Sequence, residues 1–295
     1  SLGLFFYGFK IKKADKAFVI SNPAFITPFF GFLKWLKGFE YILLMHDVFP
    51  ENLVVGGYIK EPSMLYHLTR SLFVKSRSTA DKIIVIGRDM KELLLKHYLA
   101  NRRDDIVVIP NWADTEAIFP LKEAQNKLLE EYQLHNKIII LFAGNHGVLQ
   151  NLLSFIKIIQ QTNNPDMHYV FAGGGATKNN LELFVQQNSI ENVTFLPSYP
   201  RSEMNNVLNA CHIGLVSLSD EVYGVGVPSK SYNVLSAGKP ILFLGNTQTE
   251  IAQFVLENGL GWAFEYRNKH AIVDFLNRLS MEGLSDITTK GAKGR

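Results

Sequence analysis

The stretch Tyr223-Gly224-Val225-Gly226-Val227-Pro228-Ser229-Lys230-Ser231-Tyr232-Asn233-Val234-Leu235-Ser236-Ala237-Gly238-Lys239-Pro240, running on into Ile241-Leu242-Phe243-Leu244, says most about how this chain folds. Its glycines mark a turn, Pro228 suits a first helical turn, and Gly238 with Pro240 stops the helix after barely two turns. The apolar run that follows reads as a buried strand. Turn, short helix and buried strand in that order predict a parallel α/β layer. The free N–H groups of the helix start, with Lys230 at the mouth, predict a site for an anion such as a diphosphate. Lys230 is expected to stand in solvent when that site is empty.

Working outward, short β-branched runs recur at spacings that leave room for a helix: 17–20, 41–44, 82–86 and 105–109, then 138–142, 168–171, 193–196, 213–216 and 241–244. Strands alternating with amphipathic segments such as 90–99 predict an α/β protein with parallel sheets covered by helices. Between the two series lies Pro110-Asn111-Trp112-Ala113-Asp114-Thr115-Glu116-Ala117-Ile118-Phe119-Pro120, bracketed by prolines, where a domain boundary is expected. The expected domains are 1–120 and 121–295.

The chain has 295 residues, 47% of them hydrophobic, enough for two cores of ordinary size. A net charge of +3 gives no global drive toward nucleic acid. The solitary Cys211 suits a reducing compartment and, set before 213–216, reads as a packed core thiol. No segment has the ~18 uninterrupted apolar residues of a membrane span. The nearest, 25–45, is broken by Lys34, Lys37 and Glu40. Its aromatic and basic mixture, like that of 2–13, admits two readings: core helices with lysines reaching to solvent, or peripheral contact with a membrane.

The pattern Pro228-Ser229-Lys230-x-Tyr232-x-x-Leu235-x-Ala237-Gly238-Lys239-Pro240 resembles the donor-site helix of retaining GT-B glycosyltransferases of family 4, the glycosyl transferases group 1, particularly the bacterial enzymes of capsule, O-antigen and exopolysaccharide synthesis. The run 110–120 resembles that family's interdomain connection. The resemblance implies two Rossmann-like domains facing a cleft. It also implies transfer of a sugar from a nucleotide diphosphate donor to a glycan or lipid-linked acceptor with retention, without cofactor or metal. Its setting would be the cytoplasm, with contact at the inner face of the plasma membrane. Family members open with a strand, a Gly-rich loop and further strands that residues 1–16 do not supply, so the first domain is expected to be incomplete. The chain is then a fragment or one chain of a split enzyme. Apolar surface around Leu4, Phe5, Phe6 and Phe9 is expected to be uncovered.

Matching segments supply the remaining candidates. Gly144, Asn145 and His146, with Gln150 beyond them, follow a strand and can receive a phosphate; a plain tight turn is the alternative. The family usually carries Arg and Lys in this loop. With Asn145 and Gln150 in place, neutralisation would fall to Lys230, the helix start and His146. Gly173 and Gly174 resemble the turn whose backbone approaches the donor, with a flexible turn as the alternative, and Ser198 with Tyr199 the loop around the nucleobase, with a Tyr packed beside Pro200 as the alternative. Val227, Pro228, Ser229, Lys230, Ser231 and Asn233 complete the donor side. Of the family's Glu-x7-Glu pair, Asn233 occupies the second position, where a ribose contact is implied, and Val225 the first. Val225 brings no carboxylate, so a sugar contact would come from backbone, from Asp220 or from Glu221. In the first half, His46 and Asp47 resemble the family's His-containing loop between donor sugar and acceptor; a strand-end His capped by its own Asp is the alternative. No metal-ligand spacing and no hydrolase or Walker motif is present. The rival readings are a nucleotide-sugar epimerase on the same fold, and a non-catalytic nucleotide-sugar-binding subunit.

Overall fold

A computed structural model describes all residues except Ser1, Pro62, 122–125, Gln133 and Arg295, and the side chains of Leu2, Leu4, Phe5 and Lys127 also lie outside the description. The chain divides into two compact units, one made of Ser1–Pro110 with Tyr223–Val227, the other of Asn111–Val222 with Pro228–Arg295. Residues 111–120 therefore group with the second unit, although the boundary expected from sequence lies at 120. Their hydrogen bonds explain why. The Phe119 N–H donates to Asn205 Oδ1 (3.0 Å), the Leu121 N–H to Asn209 Oδ1 (2.8 Å), and Ser236 Oγ to the Ile118 carbonyl (2.6 Å).

The first unit runs α1 (Leu2–Lys10), β1 (Lys16–Ile20), α2 (Ile26–Lys37), β2 (Glu40–Met45), α3 (Glu51–Val55), α4 (Met64–Ser78), β3 (Lys82–Val85), α5 (Arg88–His97) and β4 (Ile106–Val108). Its parallel sheet has the order β1-β2-β3-β4, with Lys16 opposite Glu40, Ile42 opposite Lys82 and Ile83 opposite Ile106. Space order equals chain order, so successive right-handed crossovers lay their helices on the same face. The core shows it: Val19, Leu43, Met45, Ile83, Val85 and Ile106 are buried against Phe30 and Leu33 of α2 and Met90 and Leu94 of α5. Each such side chain contributes roughly 1.5–3 kcal/mol by leaving water. The alternate residues Phe18, Ile20, Ile42 and Val107 point the other way and are exposed.

Helix α4 starts where Ser63 Oγ accepts from the Tyr66 N–H (3.2 Å). It lies close on α2 because Gly31 has no side chain; a Cβ there would stand 2.8 Å from Ser76 Cα. The segment 25–45 is thus a half-buried helix followed by a strand. Its lysines are tied to protein groups: Lys34 Nζ lies 2.7 Å from the Asp81 carboxylate, and Lys37 Nζ donates to the Ile11 carbonyl (3.0 Å). Phe32 and Trp35 of α2, and Phe6 and Phe9 of α1, stay exposed. Leu4 and Phe5 lie outside the described side chains.

The second unit runs α6 (Lys127–Glu131), β5 (Ile138–Ala143), α7 (Leu152–Ile159), β6 (Met167–Ala172), α8 (Lys178–Gln187), β7 (Val193–Leu196), α9 (Met204–Asn209), β8 (Ile213–Ser217), α10 (Lys230–Ser236), β9 (Ile241–Leu244), α11 (Glu250–Glu257), β10 (Gly261–Phe264), α12 (Lys269–Arg278) and α13 (Leu284–Lys293). The parallel order is β10-β9-β8-β5-β6-β7. From β5 the chain winds outward through β6 and β7, then returns to β8 and winds the opposite way. This reversal puts helices on both faces and buries every residue of β5 and β8. All nine strands expected from sequence are present, and β10 is an addition. Cys211 is buried, its thiol pushed up to about 11 by desolvation.

Candidate functional site

The winding reversal of the second sheet opens a crevice at the carboxyl ends of β5 and β8, the usual ligand position in such folds. Two glycine turns meet beside it. Gly144 follows β5 with φ 136°, and Gly173 follows β6 with φ 128°. A Cβ on Gly173 would lie 2.1 Å from the Gly144 carbonyl oxygen, and one on Gly174 2.8 Å from Ser198 Oγ. The His146 N–H donates to the Gly174 carbonyl (2.7 Å), while Thr177 donates to the His146 carbonyl through N–H (3.0 Å) and hydroxyl (2.8 Å). Lys178 Nζ clamps the far side, donating to the Gly173 (2.9 Å) and Leu196 (2.7 Å) carbonyls. Sequence reasoning missed Lys178, since a helix-start lysine carries no local sign of such a role.

Lys230, the first residue of α10, is half-buried rather than free in solvent, which corrects the expectation for the empty site. Its stem passes Gly144, and its Nζ stands 3.7 Å from the centre of the Phe142 ring. Although the residue keeps some exposure, its ammonium is desolvated, and this pushes its pKa down to about 7. The ring face returns part of the lost solvation. An anion entering here meets a cation short of partners.

His146 is wholly buried against Phe142, Phe171 and Phe195. Desolvation first, then the charges of Lys178 and Lys230, push its pKa down to about 4 against a small opposing pull from the Ala172 carbonyl. Neither ring nitrogen makes a well-formed hydrogen bond. At neutral pH the imidazole is uncharged, so the expectation that His146 helps neutralise a phosphate is corrected. Asn145 is exposed at the turn, and the Gln150 side chain folds back toward Gly147. Ser231 is buried with its hydroxyl on the Pro228 carbonyl (2.8 Å), whereas Ser229 is exposed.

A second recess of about 870 Å³ lies along the start of α10, lined by Tyr199, Ser229 and Asn233 together with Trp112, Arg201 and Met204. Burial raises the Tyr199 phenol above its ordinary value. Asn233 Nδ2 donates to the Met204 sulfur (3.6 Å). Trp112 and Arg201 were not singled out from sequence; the signal for Trp112 was an aromatic residue inside a proline-bracketed connection. The expected carboxylate substitutes are engaged elsewhere. Asp220 accepts from the Tyr266 (2.9 Å) and Arg267 (3.1 Å) N–H groups, and Glu221 accepts from Ser219 Oγ.

In the first unit, His46 and Asp47 follow β2, with the His46 N–H on Ser21 Oγ (3.1 Å). Burial raises the Asp47 carboxyl pKa, opposed by His46. The excursion 223–227 lies alongside: Asp47 and Gly226 form an isolated antiparallel bridge, and the Val48 N–H donates to the Val225 carbonyl (2.9 Å). Val225 is buried, and Val227 packs on the first unit's core. Beyond Asp47, Glu51 accepts from the Tyr98 hydroxyl and stands 4.0 Å from the buried Arg77 guanidinium. Burial brings the Arg77 pKa down to about 10, while Glu51 and Tyr98 pull it upward. Among the described residues no group of three or more His, Cys, Asp and Glu side chains is placed to hold a metal ion.

Comparison with known proteins agrees with this geometry. The family profile described as glycosyl transferases group 1 matches residues 124–289. The chain is 33% identical over 278 residues to WbjE of Pseudomonas aeruginosa, named as a probable glycosyltransferase, covering 94% of this chain and 69% of that protein. It is 27% identical to WcaI of Escherichia coli, named for glycosyl transfer in colanic acid biosynthesis, covering 82% of this chain and 60% of WcaI. Among solved structures, HepE of Anabaena in complex with UDP superposes with a TM-score of 0.76 at 12% identity, over 99% of this chain and 75% of HepE. WaaG, a glycosyltransferase involved in lipopolysaccharide biosynthesis, gives 0.63 at 13% identity, over 90% of this chain and 74% of WaaG. The fold is GT-B. With the profile matching more than half of the residues and WbjE a third identical over nearly the whole chain, this protein belongs to the glycosyl transferases group 1 family.

Proposed function

We propose that the chain binds a nucleoside diphosphate sugar and serves its transfer, with retention, to a glycan or lipid-linked acceptor in bacterial surface polysaccharide synthesis. One observation carries the reading: the desolvated Lys230 ammonium stands over Phe142 beside the glycine turns of the winding reversal. One under-solvated cation beside these turns suits a diphosphate leaving group, whose developing charge must be stabilised. The UDP bound by HepE and the polysaccharide role in the name of WcaI support the same direction. Asn233, Tyr199 and Trp112 would hold ribose and base in the adjoining recess. In the transfer itself the bond from sugar C1 to the β-phosphate oxygen breaks, the acceptor oxygen bonds to C1 on the same face, and the acceptor proton passes to the departing phosphate. No protein base is then required, so His46 and Asp47 would orient groups, and the step would proceed without a metal.

Calorimetric titration with uridine, guanosine, adenosine and thymidine diphosphates and their sugar conjugates tests the reading. Saturable binding of one base series, lost in a folded Lys230→Ala variant, is the expected result. Absence of binding across the panel overturns it. A second reading, a nucleotide-sugar-binding subunit that does not catalyse, rests on buried Val225 and on the engagement of Asp220 and Glu221 elsewhere. Binding without transfer to any acceptor would favour it.

A further inference from the structure

Among the described residues the largest side chain buried outright is that of Arg77, only 1% exposed. Its Nε and Nη2 make no hydrogen bond, and the Glu51 carboxylate stands 4.0 Å from Nη2. Taking a guanidinium out of water costs more than a carboxylate at that distance returns, and a buried charge pair exchanged for apolar side chains of similar volume commonly leaves a protein as stable or more so. Packing alone would put a methionine at position 77. The charge is explained by what it holds.

Helix α4 turns Phe73 and Arg77, four residues apart, to one side. Both meet the segment that follows β2. Phe73 stacks on Phe49 with ring centres 5.9 Å apart and planes at 21°, and Arg77 faces Glu51 two residues on, so the chain is gripped on either side of Pro50. The grip is closed on itself: the guanidinium lies over the rings of Phe73 (5.6 Å) and Tyr98 (5.7 Å), and Tyr98 donates its hydroxyl to Glu51 Oε1. Ahead of the grip, the His46 N–H is held on Ser21 Oγ (3.1 Å) and the Val48 N–H on the Val225 carbonyl (2.9 Å). His46 and Asp47 therefore sit in a short span whose far end is fixed at residues 49 and 51 by α4 and Tyr98.

We propose that Arg77 is a positioning residue for glycosyl transfer: directly through Glu51, and through Phe73 and Phe49, it sets the conformation of residues 46–48 and so the placement of His46 and Asp47. Its bearing on transfer rests on the reading that these two side chains orient groups there, whereas the hold of Arg77 on the loop can be measured apart from it.

The test replaces the charged pair by groups of like size. An Arg77→Met, Glu51→Gln double variant should melt no lower than wild type, yet hydrogen exchange at the His46 and Val48 amides should quicken at least tenfold. By NMR its His46 imidazole signals should shift or split while those of His146, in the second unit, stay in place. Arg77→Lys keeps a cation toward Glu51 but not the planar group over two rings, so its exchange should fall between the two, and it decides the matter if the double variant does not fold. Wild-type exchange and wild-type His46 signals in whichever variant folds would overturn the proposal. So would a lower melting temperature with exchange quickened evenly through the first unit, which would make Arg77 an ordinary stabilising residue. None of these readouts uses a nucleotide, so their failure leaves the donor-site reading standing, and an empty calorimetric panel leaves this proposal standing.

Discussion

Lys230→Ala is the sharpest perturbation of the proposed donor site, because the desolvation of its ammonium gives the change both a direction and a pH dependence. In the empty site the ammonium is desolvated, with a pKa near 7 against an ordinary 10.5. A bound diphosphate restores the charged form and adds one charge-assisted contact, worth ~1.5–3 kcal/mol. The variant should therefore bind nucleoside diphosphate about 10- to 150-fold more weakly. The charged form prevails in the empty site below pH 7 and is lost above it, while the complex keeps it. Wild-type affinity should then fall as pH rises past 7, by up to about tenfold per unit, with proton uptake on binding there. Titration in buffers of different ionisation enthalpy reads both quantities. Folding moves oppositely: between pH 7 and 10.5 the unfolded chain holds this proton and the folded chain does not, so wild-type stability rises with pH there and the variant lacks that rise. A folded variant with unchanged affinity, or wild-type binding without proton uptake, would refute the reasoning.

Asn233→Ala should weaken nucleoside diphosphate binding and leave inorganic pyrophosphate binding intact; equal losses would place Asn233 on phosphate or on the stability of α10. His146, held near pKa 4 when folded, should show no imidazole titration above pH 5 by NMR. The unfolded chain takes up a proton at that site between pH 6.5 and 4 that the folded chain refuses, so stability should fall over that window on acidification, and less steeply in His146→Leu. Gly173→Ala should destabilise the second unit by several kcal/mol in urea melts, since φ 128° and a 2.1 Å clash with the Gly144 carbonyl act together, and a melt like wild type would mean that the turns can part.

The strands were legible because burial on both sides leaves an unmistakable mark: Ile138-Ile139-Ile140-Leu141-Phe142 permits no polar residue. Strand β10 escaped because Gly-Trp-Ala-Phe is short, starts with glycine and is only partly buried. The glycines of the candidate site were readable, since a φ that only glycine adopts easily and a close approach of two turns leave their trace in residue type. The charge state of the site was not. Whether Lys230 stands in water or over Phe142, and whether His146 faces phosphate or three phenylalanines, depends on strands far apart in sequence. The pairing of Glu51 with Arg77 joins two helices in the same way and has no local pattern.

The excursion 223–227 ties the first unit's completion to the order in which the chain is made. Val48 N–H finds its acceptor on Val225, and Tyr223 Oη donates to Glu92 (2.7 Å) across a sequence separation of 131. A ribosome making about 5–20 residues per second must add those residues before these bonds can close, a wait of roughly 7–26 s for Glu92 and about 9–35 s for Val48. Over that interval the loop that carries His46 and Asp47 lacks its Val225 partner and is held by its remaining contacts, His46 N–H on Ser21 Oγ and Phe49 stacked on Phe73 among them. The second unit, whose β5, β6 and β7 emerge in the meantime, can begin to pair its strands first. A nascent-chain arrest at residue 222 should therefore yield a protease-sensitive 46–50 loop, and an arrest late enough to free residue 227 from the exit tunnel should protect it.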